Sequence, residues 1–330
     1  MKIVIAGGSG QVGTTLASAF CDDGHEVVVL SRNPKPARWR IVEWDARTLG
    51  RWVDELETAD VLINLTGRSV DCRYHARNRR IIKESRVNST RVLGEAVGRS
   101  KSPPHTWLQA STATIYAHRY DAPNDELTGV VGGLDAHTPD TWRFSLDVAT
   151  SWEQAFDEAH VPHTRKVKLR MAIAMIPNGA AFCVLLRLVR FGLGGQVGDG
   201  RQFVSWIHDR DLIRSVYWLI EHRELSGAVN LAAPNPVSNA EFMRQFREAW
   251  GISSGIPVPE WLMEIGACVL RTESELVLKS RRVVPTRLLE SGFQFEFSTW
   301  TEAARNLCRR WRELNGKPNK QPARIPSGRP

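Results

Sequence analysis

Three glycines near the start of the chain have the spacing of a turn that binds a dinucleotide phosphate. Gly7, Gly10 and Gly13 follow the run Lys2 to Ala6, which is apolar and rich in β-branched residues and so predicts a buried strand. A helical stretch, Thr14 to Cys21, comes next. In such a turn the first glycine permits the tight bend, the second lets backbone N–H groups approach a pyrophosphate, and the third lets helix and strand pack closely. The helix N-terminus then faces the phosphates with unpaired donors.

The second predicted strand, Glu26 to Leu30, indicates which dinucleotide binds. An Asp or Glu at its end would accept hydrogen bonds from the adenosine ribose, but the chain has Ser31 and Arg32 there. The planar cation of Arg32 suits a ribose 2′-phosphate, and the Ser31 hydroxyl can add a hydrogen bond. These residues favour NADP(H) over NAD(H) as the cofactor. The alternative is that Arg32 is an ordinary solvated loop residue.

Hydroxyl side chains cluster from Ser111 to Tyr116, directly after a predicted strand at Thr106 to Ala110. The carboxyl end of a central strand is where ligands bind in open α/β sheets, so substrate chemistry is expected here. The alternative is a turn that is merely rich in small residues. A long segment without periodicity follows, Ala117 to Asp140, and loops of this length inside a domain are typically lids or binding loops.

The elements that must position these residues alternate between strand and helix. Further strands are predicted at 40–43, 60–65 and 166–174, and helices at 74–98 and 142–160. Asp45 follows the third strand, where a loop would pass the adenine. The fourth strand ends at the carboxyl edge of the sheet, where cofactors lie, in Asn64, Leu65, Thr66 and Gly67. The sequence therefore predicts an α/β fold with a doubly wound (Rossmann) parallel sheet.

The net charge of +8 is concentrated near the C-terminus. Cys308 to Pro330 holds seven Lys and Arg residues against Glu313, a net charge of +6, and is rich in Pro, Gly and Asn. We therefore predict a basic, disordered tail over 308–330 and a nearly neutral folded body that does not bind nucleic acid.

The cysteines and apolar runs bear on the compartment and on membrane association. The five cysteines form no CxxC pair and no metal-ligand spacing, which predicts no metal site and reduced thiols in the cytoplasm. No apolar stretch reaches the roughly eighteen residues of a spanning helix, so no membrane partner is expected. The sequence leaves the oligomeric state open.

Six motifs in a fixed order are similar to those of one protein superfamily. They are Ala6 to Gly13, Ile63 to Gly67, Ser85 to Arg91, Trp206 to Leu212, Leu225 to Phe242 and Val283 to Phe295. In this order they resemble the extended short-chain dehydrogenase/reductases, and most closely the atypical "epimerase family protein" branch, which carries a small C-terminal domain of unknown function. The resemblance covers residues 1 to about 307.

The resemblance implies a domain organisation. An NADP-binding Rossmann domain would comprise residues 1–175, with 208–232 returning to it. A smaller, discontinuous and mainly helical substrate lobe would comprise 176–207 and 233–307.

The resemblance also implies functional residues. The positions that match cofactor-binding residues of the superfamily are Gly7, Gly10, Gly13, Arg32, Asn64, Leu65, Thr66 and Gly67. Our own predicted cofactor-binding set adds Gln11, Val12, Ser31, Asp45 and Arg86. Gln11 replaces a usual Phe, which is tolerated because only the glycines need special geometry. Ser111 matches the catalytic serine position.

The catalytic tyrosine and lysine of the superfamily, in the pattern YxxxK, are absent. Aligning on Trp152 and Glu153 puts Ser145 and Ala149 at those positions. The reaction needs a phenol whose pKa, about 10 when free, is brought towards neutrality by an adjacent cation. Ser145 and Ala149 cannot supply that.

Two functions follow as hypotheses. The first is an NADP(H)-dependent oxidoreductase or epimerase acting on a small molecule, such as a sugar nucleotide or a similar polar carbonyl or alcohol. Ser111 would polarise the carbonyl, and another group, Tyr116 among the candidates, would move the proton. The sequence leaves three further candidates open: Thr112, Thr114 and Asp147. The second hypothesis is a non-catalytic NADP(H)-binding protein that senses or regulates, which the missing pair favours.

Overall fold

The computed structural model describes residues 1–263, 273 and 275–316. Its strands are β1 Lys2–Ala6, β2 Glu26–Ser31, β3 Arg40–Glu43, β4 Val61–Asn64, β5 Thr106–Thr112, β6 Arg165–Met171, β7 Ile173–Met175, β8 Phe203–Val204, β9 Trp206–His208, β10 Gly227–Leu231 and β11 Val237–Ser238. Its helices are α1 Gln11–Asp22, α2 Ala76–Arg99, α3 Asp140–Asp157, α4 Ala180–Arg190, α5 Asp209–Glu221, α6 Asn239–Trp250, α7 Glu275–Leu278, α8 Thr286–Glu290 and α9 Trp300–Asn315.

Seven of the strands form one parallel sheet in the order β10-β6-β5-β4-β1-β2-β3. Strand side chains alternate between its two faces. Ile3 and Ile5 of β1 join an apolar core with α1 and α5, whereas Val4 and Ala6 join a second core with α2. Helices thus cover both faces, and the predicted doubly wound Rossmann fold is confirmed.

A third apolar core holds the C-terminal lobe together. Helices α4, α6 and α9 surround Trp206 and Trp300, both nearly inaccessible to solvent. The Trp300 ring stacks on Phe242 with centroids 4.0 Å apart, and its indole N–H donates to the Phe242 carbonyl at 2.9 Å. Two small two-stranded sheets, β11-β8 and β7-β9, lie outside the main sheet.

The C-terminal helix corrects the predicted extent of the tail. Residues up to Asn315 are helical, and Cys308 is fully buried in the core of the lobe. Arg310 forms a bidentate ion pair with Asp209, at 2.7 and 2.8 Å. The prediction took the local excess of charge as a sign of disorder, but α9 is amphipathic and its other face packs. The rest of the predicted tail, 317–330, lies outside the described residues.

The long segment after β5 is tied to the C-terminal part of the chain. Asn124 exchanges backbone hydrogen bonds with Arg282 and Val284, at 2.7 and 3.0 Å. The Glu126 carboxylate accepts from the Asn230 amide at 2.7 Å. These contacts fix the segment against β10 and the residues before α8. That it acts as a lid stays a prediction.

Two further observations concern the state of the cysteines and the helices that could span a membrane. Cys21, Cys72, Cys183 and Cys308 are free thiols, and Cys268 lies outside the described residues. Within the described ranges, no helix is both long and apolar enough to cross a membrane.

Candidate cofactor and active site

The glycine turn between β1 and α1 is closed on one side and open on the other. Gly7 has a φ of 73°, and a Cβ there would lie 2.8 Å from the Thr66 backbone. A Cβ at Gly13 would lie 2.4 Å from the Gly8 Cα, so these two positions require glycine for the protein's own packing. A Cβ at Gly10 would meet nothing closer than the Gly7 carbonyl oxygen at 3.6 Å. The open side of the turn therefore lies at Gly10, where the sequence predicts the pyrophosphate.

Helix α1 presents its N-terminus to this open side. It begins at Gln11 after Gly10, and no side chain caps its first turn. The first N–H groups of a helix have no intrahelical partner, and the helix dipole favours an anion there. Gln11 and Val12 thus contribute backbone donors. The side chain of Gln11 turns to the lobe, where it accepts from the Ala180 amide at 3.2 Å.

The end of β2 leaves a cation available. The buried Ser31 hydroxyl lies 3.3 Å from the Ser9 hydroxyl and accepts from the Asn33 amide at 3.3 Å. Arg32 is exposed and has no ion-pair partner among the described residues. Asp45 instead braces its own loop, because it accepts from the Arg47 and Thr48 amides at 2.8 and 2.9 Å.

The end of β4 supplies one orphaned hydroxyl. Asn64 is fully buried; its amide donates to Gln109 at 3.0 Å, and its oxygen accepts from the Thr66 amide at 3.0 Å. Its side chain therefore supports the loop and does not face a ligand. The Leu65 backbone N–H donates to the Ala6 carbonyl at 2.8 Å, which continues the hydrogen bonding between β4 and β1. The Thr66 hydroxyl is buried and has no hydrogen-bond partner in the described part of the chain.

Arg86 of α2 lies over Gly67 at the same edge of the sheet. A Cβ at Gly67 would lie 3.0 Å from the guanidinium carbon of Arg86, so glycine makes room for this side chain. The guanidinium also lies 5.0 Å from the Trp152 ring centroid. It donates to the carbonyls of Arg68 and Ile82 at 3.0 Å each. Burial lowers the pKa of Arg86 to about 10. The carbonyl groups that accept its hydrogen bonds are neutral and do not offset this effect as a carboxylate would.

Ser111 and Tyr116 lie together in a buried network on the α3 side of the sheet. The Ser111 hydroxyl donates to Glu153 Oε1 at 2.6 Å. Arg170 donates to both Glu153 oxygens at 2.8 Å and to the Tyr116 hydroxyl at 3.0 Å. Tyr116 in turn donates to Asn230 at 3.0 Å. Both predicted catalytic side chains are 2% exposed.

The titration behaviour of the network fits a structural role. Burial favours the neutral form of Glu153, but the hydrogen bonds and charge of Arg170 outweigh it and lower the pKa of this carboxyl. Burial raises the pKa of the Tyr116 phenol. This placement differs from the prediction that Ser111 and Tyr116 face a substrate, because the hydroxyl proton of each is already donated within the protein.

Thr112, the next residue, is placed differently. Neighbouring residues of a strand point to opposite faces, so Thr112 points away from Glu153. It is partly exposed, and its hydroxyl oxygen accepts from the Thr114 amide at 3.1 Å. The hydroxyl proton of Thr112 is therefore still available to a ligand. Asp147, another candidate for the proton-transfer group, is held in a surface ion pair with Lys83 at 2.8 Å.

One of the two positions aligned with YxxxK, Ser145, contacts a charged cluster that the sequence did not reveal. Ala149 is fully buried in an apolar cluster. Ser145 is partly exposed, and its hydroxyl donates to the carboxylate of Glu275 in α7. Lys279 donates to the Thr114 carbonyl at 2.8 Å, and Arg281 to the Thr114 hydroxyl at 3.2 Å. The sequence signal for this cluster is weak: one acidic and two basic residues, Glu275, Lys279 and Arg281, lie in a short and largely apolar stretch. The residues that they contact lie more than a hundred positions away in the chain.

Comparison with known proteins gives a consistent result. The profile of the NAD dependent epimerase/dehydratase family matches residues 3–132, and that of a domain of unknown function (DUF1731) matches 258–307. The bovine epimerase family protein SDR39U1 is 31% identical over 303 residues, which is 90% of this chain and 96% of the bovine protein.

Two solved structures resemble the fold over nearly the whole chain. The crystal structure of human epimerase family protein SDR39U1 with NADPH has a TM-score of 0.82 at 28% identity and covers 94% of this chain and 99% of the human one. A nucleoside-diphosphate sugar epimerase from Corynebacterium glutamicum has a TM-score of 0.73 at 29% identity and covers 93% of this chain and 58% of that one. The chain belongs to the epimerase family of extended short-chain dehydrogenase/reductases that carry this C-terminal domain.

Proposed function

We propose that the chain is an NADP(H)-dependent oxidoreductase or epimerase that acts on a sugar nucleotide or a similar polar carbonyl or alcohol. The observation that carries this proposal is the open, uncapped end of α1 at Gly10, at the same sheet edge as the exposed cation of Arg32. The related human protein was crystallised with NADPH, which supports the same cofactor here.

The residues present fit such a cofactor. The N-terminus of α1 would hold the pyrophosphate, and Arg32 would pair with the ribose 2′-phosphate. The orphaned Thr66 hydroxyl lies beside the turn, 2.9 Å from where a Cβ at Gly7 would be, and would gain a polar partner. When bound, the cofactor supplies a hydride donor or acceptor.

On the substrate side, we propose that Thr112 rather than Ser111 donates to the substrate oxygen. A donor of this kind stabilises charge that develops on the oxygen during hydride transfer, and it needs no shifted pKa. Thr112 retains its hydroxyl proton, whereas Ser111 gives its own to Glu153. The relation to a nucleoside-diphosphate sugar epimerase supports a sugar nucleotide as the substrate.

The second candidate function is a non-catalytic NADP(H) sensor. The observation in its favour is the absence of the tyrosine and lysine at Ser145 and Ala149. Because Ala149 is fully buried among apolar side chains, a lysine cannot enter there without repacking.

One experiment separates the two functions. The protein is titrated with NADPH and NADH by calorimetry, then incubated with NADP⁺ or NADPH and a panel of sugar nucleotides while the nicotinamide absorbance is followed. Tighter binding of NADPH with turnover of a panel member supports the enzyme. Tight NADPH binding without turnover supports the sensor, and binding of neither cofactor contradicts both.

A further inference from the structure

Several charged side chains from the C-terminal part of the chain are buried next to the end of β5. The side chains of Glu275, Lys279 and Arg281 are 1%, 3% and 9% exposed. Charges are costly to remove from water, and an apolar substitute of similar size often gives equal or greater stability. Ligands bind at the carboxyl edge of a parallel sheet, so a buried charged cluster at this edge is a candidate catalytic site.

The contacts of Glu275 divide its two oxygens. One, Oε2, accepts the hydrogen bond from the Ser145 hydroxyl. The other, Oε1, lies 3.9 Å from an Arg281 nitrogen and has no hydrogen-bond partner among the described residues. Burial raises the pKa of Glu275 despite the nearby cations of Arg281 and Lys279. The carboxyl is thus held ready to take up a proton at a higher pH than an exposed glutamate.

The groups around Glu275 come from several elements. Tyr74, in the segment before α2, is buried, and burial raises the pKa of its phenol to about 12. Glu273 accepts from the Tyr74 amide at 2.6 Å and pairs with Arg73 at 3.2 Å. Burial lowers the pKa of Lys279 to about 8. Tyr74 therefore stays protonated near neutral pH, which leaves Glu275 as the group suited to accept a proton through Ser145.

Ser145 connects this buried carboxyl to the protein surface near the end of β5. It is partly exposed, whereas Glu275 lies buried behind it. The cluster adjoins Thr114, directly beyond β5, and the glycine turn follows β1, two strands away in the order β5-β4-β1. Two strand spacings are roughly 10 Å, a distance that a dinucleotide bound along the edge can span.

We propose that Ser145 is a catalytic residue that exchanges a proton with the substrate, and that Glu275 acts through it as the proton acceptor and donor. This inference rests on the proposed oxidoreductase function. In alcohol oxidation, the substrate O–H bond breaks and its proton passes to Ser145 Oγ, while the Ser145 proton passes to Glu275 Oε2. The C–H bond breaks with its electron pair, which leaves as hydride to NADP⁺, and the carbon–oxygen double bond forms. Reduction runs the same transfers in reverse.

The test uses S145A and E275Q in the full chain, with S151A as the control. Ser151 lies on the same helix, and its hydroxyl donates to the exposed carboxylate of Asp147 at 3.4 Å. We expect kcat to fall by about 100-fold or more in S145A and E275Q, as for loss of general acid–base catalysis, and to stay unchanged in S151A. NADPH affinity should remain within about twofold for all three, since none lies in the predicted cofactor site.

Infrared titration of the protein without cofactor or substrate tests the Ser145–Glu275 pair directly, with no need for turnover. A protonated-carboxyl band that persists above the usual range of glutamate, is lost in E275Q and shifts in S145A supports the pair. In turnover, the rate of oxidation should rise with pH as Glu275 ionises, and E275Q should lose this dependence. Ionisation of Glu275 in the ordinary range, or wild-type kcat in either variant, overturns the inference. Failure of the wild type to bind NADPH overturns the proposed function instead, and the infrared result still stands.

Discussion

At the scale of single residues, Ser111 and Thr112 are neighbours in one strand, yet their hydroxyl groups have different surroundings and different proposed roles. A register difference of one residue moves a side chain to the opposite face of the sheet. The sequence placed the hydroxyl cluster directly after a strand at Thr106 to Ala110, and in the structure β5 extends to Thr112. It could not reveal that the Ser111 hydroxyl donates to Glu153 inside the protein, or that Arg170 holds this carboxylate in place.

The two hydroxyls should respond differently to removal. Ser111→Ala deletes a hydrogen bond to a buried carboxylate, so the free energy of unfolding should fall by about 1–3 kcal/mol. Thr112→Val keeps the shape and deletes a ligand donor, so kcat/KM should fall by about 10²-fold. Because it also removes the acceptor of the Thr114 amide, the free energy of unfolding should fall by about 1 kcal/mol. Urea denaturation and steady-state kinetics measure both. The reverse pattern would return Ser111 to the catalytic role.

Arg32 is the residue that we propose selects NADP(H) over NAD(H). Arg32→Ala should weaken NADPH by about tenfold or more, because a charge-assisted contact is worth about 1.5–3 kcal/mol, and should leave NADH nearly unchanged. Arg38→Ala, which removes an exposed cation paired with Asp22, is the control. Equal losses for both cofactors by calorimetric titration would contradict the assignment.

At the scale of elements, the sequence predicted the β1–α1–β2 unit because its signals are local. The apolar strands and glycine spacing lie within thirty-two residues and need no distant partner. The contacts of Glu275 with Ser145 and of Arg281 with Thr114 join residues 130 and 167 positions apart, and neither hydrophobic periodicity nor charge pattern encodes such pairings. The cluster required the structure.

The glycines of the turn should separate stability from cofactor binding. Gly10 has a φ of −76°, which alanine adopts freely, and its Cβ would come no closer than 3.6 Å to another part of the protein. Gly10→Ala should therefore keep the wild-type Tm and lose NADPH affinity by about tenfold or more, as for loss of a charge-assisted contact. Gly13→Ala should lower both, since its Cβ would collide with Gly8. A lowered Tm in Gly10→Ala would show that the open side is filled by protein. Thermal melts and calorimetry provide the readouts.

At the scale of the whole molecule, the junction at the start of α5 is among the contacts that join the Rossmann domain to the lobe. His208, at the N-terminus of α5, stacks on Phe297 with ring centroids 3.8 Å apart and contacts Asn306 of α9 at 3.2 Å. Asp211 accepts from the Glu296 and Phe297 amides at 2.8 and 2.9 Å. The motif Trp206 to Leu212 was predicted from the sequence as a family signature, and the structure gives it a physical role as this junction.

The junction should make stability depend on pH. Burial lowers the pKa of His208 to about 4, whereas an unfolded histidine titrates near 6.5. As pH falls from about 6.5 to 4, the unfolded chain binds the proton first, so stability should drop by up to about 3 kcal/mol. His208→Asn keeps an acceptor for the Arg210 amide and should flatten this loss. His105→Asn, at an exposed site, should leave it intact. An unchanged pH profile in His208→Asn would contradict the assignment.

The position of Glu275 near the end of the chain has a consequence during synthesis. The glycine turn and the strands β1 to β6 leave the ribosome long before residue 275, and domains generally begin to fold from the N-terminal side. Under the proposed mechanism, a nascent chain or one clipped before α7 would carry the proposed nucleotide site without the carboxyl that exchanges the proton. Turnover would then begin only once translation has passed α7.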